Sequence, residues 1–325
     1  MPTERRQKKS ESKRTGEQRN FNQRMTISVV GAGRLGTALA IALARRGHLI
    51  EAVVARRLSH ARRAAKLLAP GTQALSAAQL DSLPFSDLIL ITTPDDQLAE
   101  TAERLATTTS RALSKRRSRR ARTALHCSGA LSSDILSPLA KAGWRTGAMH
   151  PLVSISEAVQ GAERLSGAYF CVEGDRQALR LARALVLDME GQSFAINKTD
   201  KALYHAAAVM ASGHVVALFD IALKMLALCG LTERKAQAVL LPLLESITQN
   251  LKERDPAHSL TGTFARADTA TMRRHLEALR SVEIKDALEV YRLLGRRSIR
   301  LAEKIGVDGE ALEKIEDALK EDEGL

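Results

Sequence analysis

The sequence predicts an α/β protein in which a doubly wound parallel sheet is followed by an all-helical domain. Three observations support this prediction. In the first half, short apolar runs alternate with helical patterns, which is typical of βαβ units. A glycine-rich turn joins the first apolar run to the first helical pattern. After residue 197 only helical patterns remain.

The individual elements follow from these patterns. Short apolar or β-branched runs predict strands at residues 26–30, 49–55, 88–92, 123–127, 146–149, 168–172 and 192–196. Helical patterns between them predict helices at 35–46, 59–68, 97–106, 133–142 and 176–188. Residues 199–229 read as one long Ala-rich helix, and further helices are predicted at 232–253, 268–279, 281–304 and 308–321. The predicted domains are therefore 25–196 and 197–325, preceded by a polar tail, 1–24, that we expect to be disordered.

The turn after the first strand has the GxGxxG spacing of the Rossmann dinucleotide-binding fingerprint, formed by Gly31, Ala32, Gly33, Arg34, Leu35 and Gly36. In that fingerprint Gly31 permits the tight turn, Gly33 admits the pyrophosphate and Gly36 lets the helix pack on the strand. The N-terminus of the helix then offers N–H groups to the phosphates. The alternative is a glycine-rich turn that binds no ligand.

The residues after the second strand predict which nucleotide is bound. An acidic residue there binds the ribose of NAD, whereas an Arg accommodates the 2′-phosphate of NADP. Here the strand is followed by Arg56, Arg57 and Ser59, so we expect Arg56 and Ser59, helped by Arg57, to bind the 2′-phosphate. NADP(H) is thus predicted in preference to NAD(H). A solvent-facing basic pair at the start of a helix is the alternative.

Another strand ends at Thr92, Thr93 and Pro94, which we expect to lie against the central part of the cofactor because ligands bind at the carboxyl ends of such strands. For Asp95 and Asp96 we favour a role in capping the next helix.

Polar groups at positions where this fold should be apolar predict the chemical site. His126, Ser128 and Gly129 end one strand, and His150 follows another. On the long helix, Lys201, His205 and Ser212 share one face of an otherwise apolar surface, which is costly unless they face water or a ligand. We expect Lys201 or His205 to be the acid/base, with His150 as an alternative. Taken singly, Lys201 also fits a solvated helix start and His205 a buried, hydrogen-bonded imidazole.

The net charge of +12 is confined to two segments. Residues 1–24 carry eight Lys/Arg against three acidic residues, and the insert 111–122 carries seven Lys/Arg and no acidic residue. The remainder of the chain is balanced. We expect both runs to be solvated, and the sequence therefore argues against a nucleic-acid-binding function.

The cysteines and the apolar runs argue against metal sites, disulfides and membrane-spanning segments. Cys127, Cys171 and Cys229 are scattered without a CxxC pair, which predicts neither a metal site nor a disulfide framework. No apolar secretory signal is found, and 206–219, the longest apolar candidate, is too short to span a membrane. We expect a cytoplasmic protein.

Several motifs resemble, in the same order, those of the bacterial Rossmann-like proteins that carry domain of unknown function 2520: Gly31–Gly36, His126–Gly129, Met149–Leu152, Tyr204–Ala208, Leu260–Gly262, Arg266–Asp268 and His275-Leu276. The resemblance covers residues 25–320. It implies an NADP-dependent oxidoreductase whose substrate is not established. It also implies a C-terminal domain similar to the helical dimerisation domain of 6-phosphogluconate dehydrogenase, and hence a homodimer.

More distant resemblances imply roles for single residues. Lys201 is placed like the acid/base Lys of the Lys-x-x-Asn-Asn helix in β-hydroxyacid dehydrogenases. His150-Pro151 resembles the His-Pro of prephenate dehydrogenases, whose His works at the hydroxyl that is oxidised. Ser128-Gly129 falls where β-hydroxyacid dehydrogenases bind a substrate carboxylate.

The chain also departs from the family pattern. Ser212-Gly213 stands where the family has Ser-Asn, Thr263 where it has Pro, and Ala267 where it has Gly.

The sequence therefore predicts an NADP(H)-dependent oxidoreductase with a small, carboxylate-bearing substrate between its domains. His126 and Ser128 would orient the substrate. Thr261, Arg266 and Asp268 would complete the pocket, in the same or the partner subunit, although Arg266 equally suits an ion pair with Asp268. A catalytically idle NADP(H)-binding sensor or docking protein is the alternative function.

Overall fold

The computed structural model describes residues 24–113 and 122–320. The predicted tail, apart from Arg24, and most of the predicted basic insert lie outside these residues. The chain divides into two compact units between Ser212 and Gly213, later than the boundary predicted near residue 196.

The first unit is built on an eight-stranded sheet with the order β3-β2-β1-β4-β5-β6-β7-β8. The strands are β1 (Thr26–Val30), β2 (Leu49–Ala55), β3 (Gln73–Ser76), β4 (Leu88–Ile91), β5 (Thr123–His126), β6 (Arg145–Pro151), β7 (Tyr169–Gly174) and β8 (Gln192–Phe194). Neighbouring strands are parallel except for the pair β6 and β7. The predicted doubly wound fold is confirmed, and β3 was missed because its four residues are half polar.

The antiparallel strand β7 corrects the prediction of an all-parallel sheet. A short helix at Ala158–Arg164, which was not predicted, connects β6 to β7. It packs on the first helix of the fold, where a Cβ on Gly161 would lie 3.3 Å from the Cβ of Ala38. Because the connection does not cross back over the sheet, the chain enters β7 from the edge at which β6 ends.

Helices cover both faces of the sheet in this unit: α1 (Arg34–Arg45), α2 (Leu58–Ala65), α3 (Leu98–Leu113), α4 (Ser137–Lys141), α5 (Ala158–Arg164), α6 (Arg176–Asp188) and α7 (Lys201–Met210). The central strand β4 is buried along its whole length, as expected for a strand covered on both faces. Its side chains belong alternately to the two apolar clusters that form the core on either side of the sheet.

Arg122, the last residue of the predicted basic insert, is a packed structural cation rather than a solvated one. Its guanidinium carbon lies 3.9 Å from the ring centre of Phe85 and 4.3 Å from that of Trp144. It also donates hydrogen bonds to the carbonyls of Ser86 and Pro84. Burial lowers the pKa of Arg122 to about 10.

The described part of the second unit contains helices and connecting turns but no strand. It contains α8 (Gly213–Leu228), α9 (Glu233–Glu253), α10 (Pro256–Ser259), α11 (Thr269–Arg280), α12 (Ala287–Lys304) and α13 (Gly309–Lys320). A small core forms where α11, α12 and α13 meet, with Met272, Leu276, Ile299 and Ile315 at its centre. In contrast, α8 has no buried residue.

The single helix predicted at 199–229 is wrong, because a turn at 211–212 separates α7 from α8. The Ser212 N–H bonds to Val209 O, which tightens the last turn of α7, and the Ser212 hydroxyl donates to Ala208 O. Gly213 follows directly. Such side-chain bonds to the preceding turn compete with continuation of the helix.

The stretch Lys198–Leu228 is mostly apolar and mostly exposed. With a mean hydropathy of 1.8 over its most apolar window, it is long and apolar enough to cross a membrane by composition alone, so the apolar run is longer than the sequence estimate. The turn divides it, however, into helices of 10 and 16 residues, each shorter than the roughly 20 residues that a bilayer requires. The first of these helices is anchored in the folded unit, since Lys201 is buried.

The Ala267 backbone has φ +50°, in the left-handed region where glycine is favoured. This is the position at which the related family has glycine. Because a Cβ costs roughly 1–2 kcal/mol there, we expect Ala267→Gly to raise the free energy of unfolding by about 1 kcal/mol in urea denaturation. The control Ala265→Gly, two residues earlier and without a positive φ, should lower it. A loss of stability in Ala267→Gly would contradict this account of the turn.

Candidate functional site

The glycine-rich turn is shaped by contact with the end of β4. Gly31 has φ +108°, and a Cβ there would lie 2.5 Å from the carbonyl carbon of Thr92. A Cβ on Gly36 would overlap the Thr92 hydroxyl and the Gly31 carbonyl, which are hydrogen-bonded to each other at 2.7 Å. Around Gly33 the nearest protein atom to a Cβ would be 3.9 Å away. The fold itself thus requires two of the glycines, whereas the third leaves open space.

The N-terminus of α1 opens into this space. Gly33 is the N-cap and supplies no side chain, and the first turn of α1 contains no acidic residue. The first N–H groups of the helix, those of Arg34, Leu35 and Gly36, have no intrahelical acceptor. Their partial positive charge favours an anion such as a pyrophosphate.

A groove of about 720 Å³ runs along the carboxyl ends of five neighbouring strands. In sheet order, Arg56 lies after β2, Gly31 after β1, Thr92 after β4, Cys127 after β5 and His150 near the end of β6. The groove is lined by Gly31, Ala32, Gly33, Arg34, Leu35, Ala55, Arg56, His60, Thr92, Thr93, Pro94, Gln97, Cys127, His150, Pro151, Val153 and Ile155. It therefore joins the predicted cofactor residues to one of the predicted catalytic residues.

The residues that line the basic end of the groove are not all those that the sequence predicted. Arg56 lines it, but Arg57 and Ser59 do not. His60 takes part instead, and it shares a neighbouring hollow of about 290 Å³ with Arg34 and Arg63. The sequence reasoning missed His60 and Arg63. Their spacing of three residues along α2, which places them on one helix face, is the signal that points to them.

Thr92, Thr93 and Pro94 lie in the middle of the groove, as predicted. The Thr92 hydroxyl is used by the protein, because it donates to the Gly31 carbonyl. The Thr93 hydroxyl is buried and has no hydrogen-bond partner in the part of the chain that the structure describes. An unpaired polar group of this kind is costly, and a bound ligand would satisfy it.

His150 lies at the opposite end of the groove from Arg56. Its Nδ1 is 2.7 Å from the Tyr204 hydroxyl, and its ring meets the His205 ring edge-on at a centroid distance of 5.5 Å. Burial lowers the pKa of His150 to about 4, with further lowering by the charge of Lys201 and by His205. The imidazole is therefore neutral at pH 7, and it is the one predicted acid/base candidate that lines the groove.

Lys201 is buried with 1 % of its surface exposed, and it does not line the groove. Its Nζ donates a 2.9 Å hydrogen bond to the Ser128 carbonyl. Burial lowers its pKa, while the thiol of Cys171 and the carboxylate of Glu173 act in the opposite direction. The ammonium thus holds a loop in place, a role that the sequence did not predict.

Ser128 is the centre of that loop. Its hydroxyl donates to Asp95 Oδ2 at 2.8 Å and accepts from the N–H groups of Ala130 and Leu131. The preference for Asp95 as a helix cap is therefore wrong, since the short helical turn that it begins has no side-chain cap bond. The contact instead joins the end of β4 to the loop after β5.

His126 and Gly129 flank Ser128. His126 is fully buried, its Nδ1 accepts from the Ser128 N–H, and burial followed by the charge of Lys201 lowers its pKa to about 3. A Cβ on Gly129 would overlap His205 Nδ1 and lie 2.9 Å from His150 Nε2. The first unit thus brings together His126, Ser128, Gly129, His150, Lys201 and His205, but among these only His150 lines the groove.

The remaining predicted residues are Ser212 and three residues of the second unit. Ser212 is exposed after α7, and its hydroxyl donates a hydrogen bond to Ala208 O. Thr261, Arg266 and Asp268 belong to the second unit, where Asp268 is the N-cap of α11 and accepts from the Thr271 N–H at 3.0 Å. Hydrogen bonds from Thr271, and then the charge of Arg266, hold the pKa of Asp268 below its usual value.

No group of three or more His, Cys, Asp or Glu side chains in the described ranges is arranged to hold a metal ion.

Known proteins share this architecture. The chain is similar to protein TM1727 from Thermotoga maritima. The match covers 86 % of this chain and 99 % of that protein, at 22 % identity and a TM-score of 0.64. For "putative NADP oxidoreductase BF3122" from Bacteroides fragilis it covers 86 % and 100 %, at 20 % identity and a TM-score of 0.69. For a pyrroline-5-carboxylate reductase from Coxiella burnetii it covers 88 % and 100 %, at 12 % identity and a TM-score of 0.50. None of the curated protein sequences matches the chain.

Family models match both halves of the sequence. Residues 11–151 match a Rossmann-like domain, in agreement with the groove at the carboxyl ends of the strands. Residues 168–298 match the domain of unknown function DUF2520. The chain is therefore a Rossmann-like protein that carries domain of unknown function 2520.

Proposed function

We propose that this chain is an NADP(H)-dependent oxidoreductase that transfers a hydride between the nicotinamide and a small hydroxy or keto substrate. The observation that carries the proposal is the single groove that connects the glycine-rich turn to His150. The names of two structural neighbours, an NADP oxidoreductase and a pyrroline-5-carboxylate reductase, are in keeping with it.

The residues of the groove suit each part of the nucleotide. The open space at Gly33 and the N-terminus of α1 would hold the pyrophosphate. Arg56 and His60 would bind the 2′-phosphate. The nicotinamide part of the nucleotide would give the Thr93 hydroxyl a hydrogen-bond partner. When bound, the nicotinamide accepts or supplies the hydride.

His150 supplies the proton transfer. In the direction of oxidation its Nε2 takes the proton of the substrate hydroxyl and the imidazole becomes an imidazolium. In reduction the imidazolium returns that proton to the carbonyl oxygen. Pro151, which follows His150 in the chain, lines the groove as well, and so do Val153 and Ile155. We therefore expect the substrate to carry apolar carbon beside its reacting oxygen. A carboxylate on the substrate, predicted from Arg266, is a further part of this proposal.

We expect the affinity for NADPH to exceed that for NADH and to depend on Arg56. Isothermal titration calorimetry of the full chain tests this directly. Because hydrogen bonds to charged groups contribute about 1.5–3 kcal/mol, Arg56→Ala should weaken NADPH binding about 10- to 100-fold and leave NADH binding nearly unchanged. Arg57→Ala is the matched control, since Arg57 does not line the groove.

Each outcome of this titration has a separate meaning. If neither nucleotide binds, the oxidoreductase proposal fails. If NADH binds as tightly as NADPH, only the preference for NADP(H) fails. Nucleotide binding without turnover of any hydroxy or keto compound would favour the idle sensor.

We also propose that a second copy of the chain covers the exposed apolar faces of the second unit. Val216 of α8 is 70 % exposed, Leu228 62 %, Leu243 of α9 60 % and Leu293 of α12 61 %. Large exposed apolar surfaces are rare on monomers and mark interfaces. The buried free thiols Cys127 and Cys171 suit a reducing compartment, so we place the dimer in the cytoplasm.

A charge within this apolar surface should break the dimer. We expect wild type to have the mass of a dimer in light scattering and Val216→Glu to have that of a monomer, because a carboxylate is costly to bury in an interface. The control is Leu187→Glu, at an equally exposed apolar residue of the first unit, which should remain dimeric. A monomeric wild type would contradict the proposal, and association with lipid vesicles would indicate a membrane-bound α8 instead.

A further inference from the structure

A tyrosine that the sequence reasoning did not assign contacts the proposed proton-transfer residue. The hydroxyl of Tyr204, on α7, lies 2.7 Å from His150 Nδ1. The two rings meet edge-on, with centroids 5.7 Å apart and planes at 87°. This hydrogen bond therefore holds the imidazole in position and occupies one of its two nitrogens, Nδ1.

Tyr204 is itself held from several sides. Phe194, at the end of β8, meets its ring at a centroid distance of 5.9 Å, and Lys201 Nζ lies 5.7 Å from the ring centre. Burial raises the pKa of Tyr204 well above its usual value, so the phenol keeps its proton. The hydroxyl also interacts with the buried thiol of Cys171. It can thus donate to the sulfur while it accepts a hydrogen bond from His150.

The second nitrogen of His150 is left for the substrate. A Cβ on Gly129 would lie 2.9 Å from His150 Nε2, so the absence of a side chain at Gly129 keeps this nitrogen uncovered. In a neutral imidazole only one nitrogen carries a hydrogen, and the partner of the other nitrogen decides which one. A hydrogen on Nδ1 leaves a lone pair on Nε2, the form that accepts a proton.

We infer that Tyr204 is the positioning residue of His150: its hydroxyl accepts the Nδ1–H and thereby holds the imidazole with an unprotonated Nε2 facing the reacting oxygen. The inference rests on the proposed function. During oxidation the substrate O–H bond breaks and its proton moves to Nε2, while the hydride leaves the carbon for the nicotinamide. The Nδ1–H bond stays intact, and the Tyr204 oxygen stabilises the imidazolium that forms.

The test is nitrogen NMR of the histidine side chains in the nucleotide-free full chain, labelled with ¹⁵N-histidine and recorded near pH 7. Loss of one set of signals in His150→Gln assigns His150. We expect wild type to show His150 with its hydrogen on Nδ1. Tyr204→Phe, which keeps the ring and removes the hydroxyl, should shift His150 toward the form with its hydrogen on Nε2.

The second unit offers a matched control. His275 Nδ1 is 2.8 Å from the Tyr291 hydroxyl, a pair of the same kind and geometry. Tyr291→Phe should change the signals of His275 and leave those of His150 unaltered. For any substrate that wild type turns over, Tyr204→Phe should lower kcat about 100-fold with KM for the nucleotide unchanged, since acid–base catalysis contributes at least this much.

Two results would overturn the inference. One is a hydrogen on Nε2 of His150 in wild type, a result that does not depend on the folding of Tyr204→Phe. The other is an unchanged His150 spectrum in folded Tyr204→Phe. Neither measurement requires bound nucleotide, so failure of the oxidoreductase proposal in calorimetry would be recognised separately.

Discussion

His150→Gln should lower the rate of hydride transfer about 100- to 10,000-fold, because it removes the group that accepts the substrate proton. The affinity for NADPH should change little, since His150 lies at the end of the groove farthest from Arg56 in sheet order. The measurement is kcat for a hydroxy or keto compound that wild type turns over, beside calorimetry with NADPH. His205→Gln is the control, because the His205 ring adjoins that of His150 without lining the groove.

The pH dependence should identify the same residue. A base works in its neutral form, and the pKa of His150 is lowered to about 4 by burial and by the charge of Lys201. Oxidation should therefore keep a constant rate around neutral pH and decline as the pH falls toward 4. If His150→Gln retains activity while Lys201→Ala or His205→Gln loses it, the acid/base assignment returns to the helix residues that the sequence favoured.

The second large effect is expected at Gly31. Gly31→Ala places a Cβ at φ +108°, 2.5 Å from the carbonyl carbon of Thr92 and 2.6 Å from the Thr93 nitrogen. Because backbone atoms of the two residues that follow β4 must shift, we expect a loss of about 3 kcal/mol or more in the free energy of unfolding. Binding of NADPH should be lost with it, as measured by urea denaturation and calorimetry.

Variants of two other glycines separate the effect of backbone strain from the effect of blocking the cofactor site. Gly71 has φ +98° but no atom within 4 Å of a Cβ, so Gly71→Ala should cost only the strain of roughly 1–2 kcal/mol. Gly33→Ala should leave the stability almost unchanged, because its surroundings are open, and yet weaken NADPH at least about 10-fold by filling the place of the pyrophosphate. Equal NADPH affinity in Gly33→Ala and wild type would contradict the assignment of this space to the cofactor.

Much of the fold was accessible from the sequence because buried parallel strands read as apolar runs. The prediction found seven of the eight strands, and the limits of β1, β2 and α6 match the structure. The direction of β7 was not accessible, since it depends on where α5 packs and not on the strand itself. The break between α7 and α8 falls at Ser212, whose N–H and hydroxyl both bond to the preceding turn, and at Gly213 directly after it.

The sequence predicted which segments form the site, but not the role of each residue in it. Residue type placed His150, Ser128 and Lys201 near one edge of the sheet, because all three follow strands or begin the helix after the last one. Which nitrogen or amine reaches the groove depends on burial, and Lys201 is turned inward to the Ser128 carbonyl. Tyr204 belongs to one of the family-like motifs, Tyr204–Ala208, but the motif gave no role to its hydroxyl.

The central claim is that one groove places a nicotinamide nucleotide between Arg56 and His150, and a crystal structure of the full chain grown with NADP⁺ tests it most directly. The account predicts the pyrophosphate over Gly33 at the N-terminus of α1, the 2′-phosphate against Arg56 and His60, and the nicotinamide beside Thr93 and His150. A nucleotide bound in another place, or with its nicotinamide turned away from His150, would contradict it.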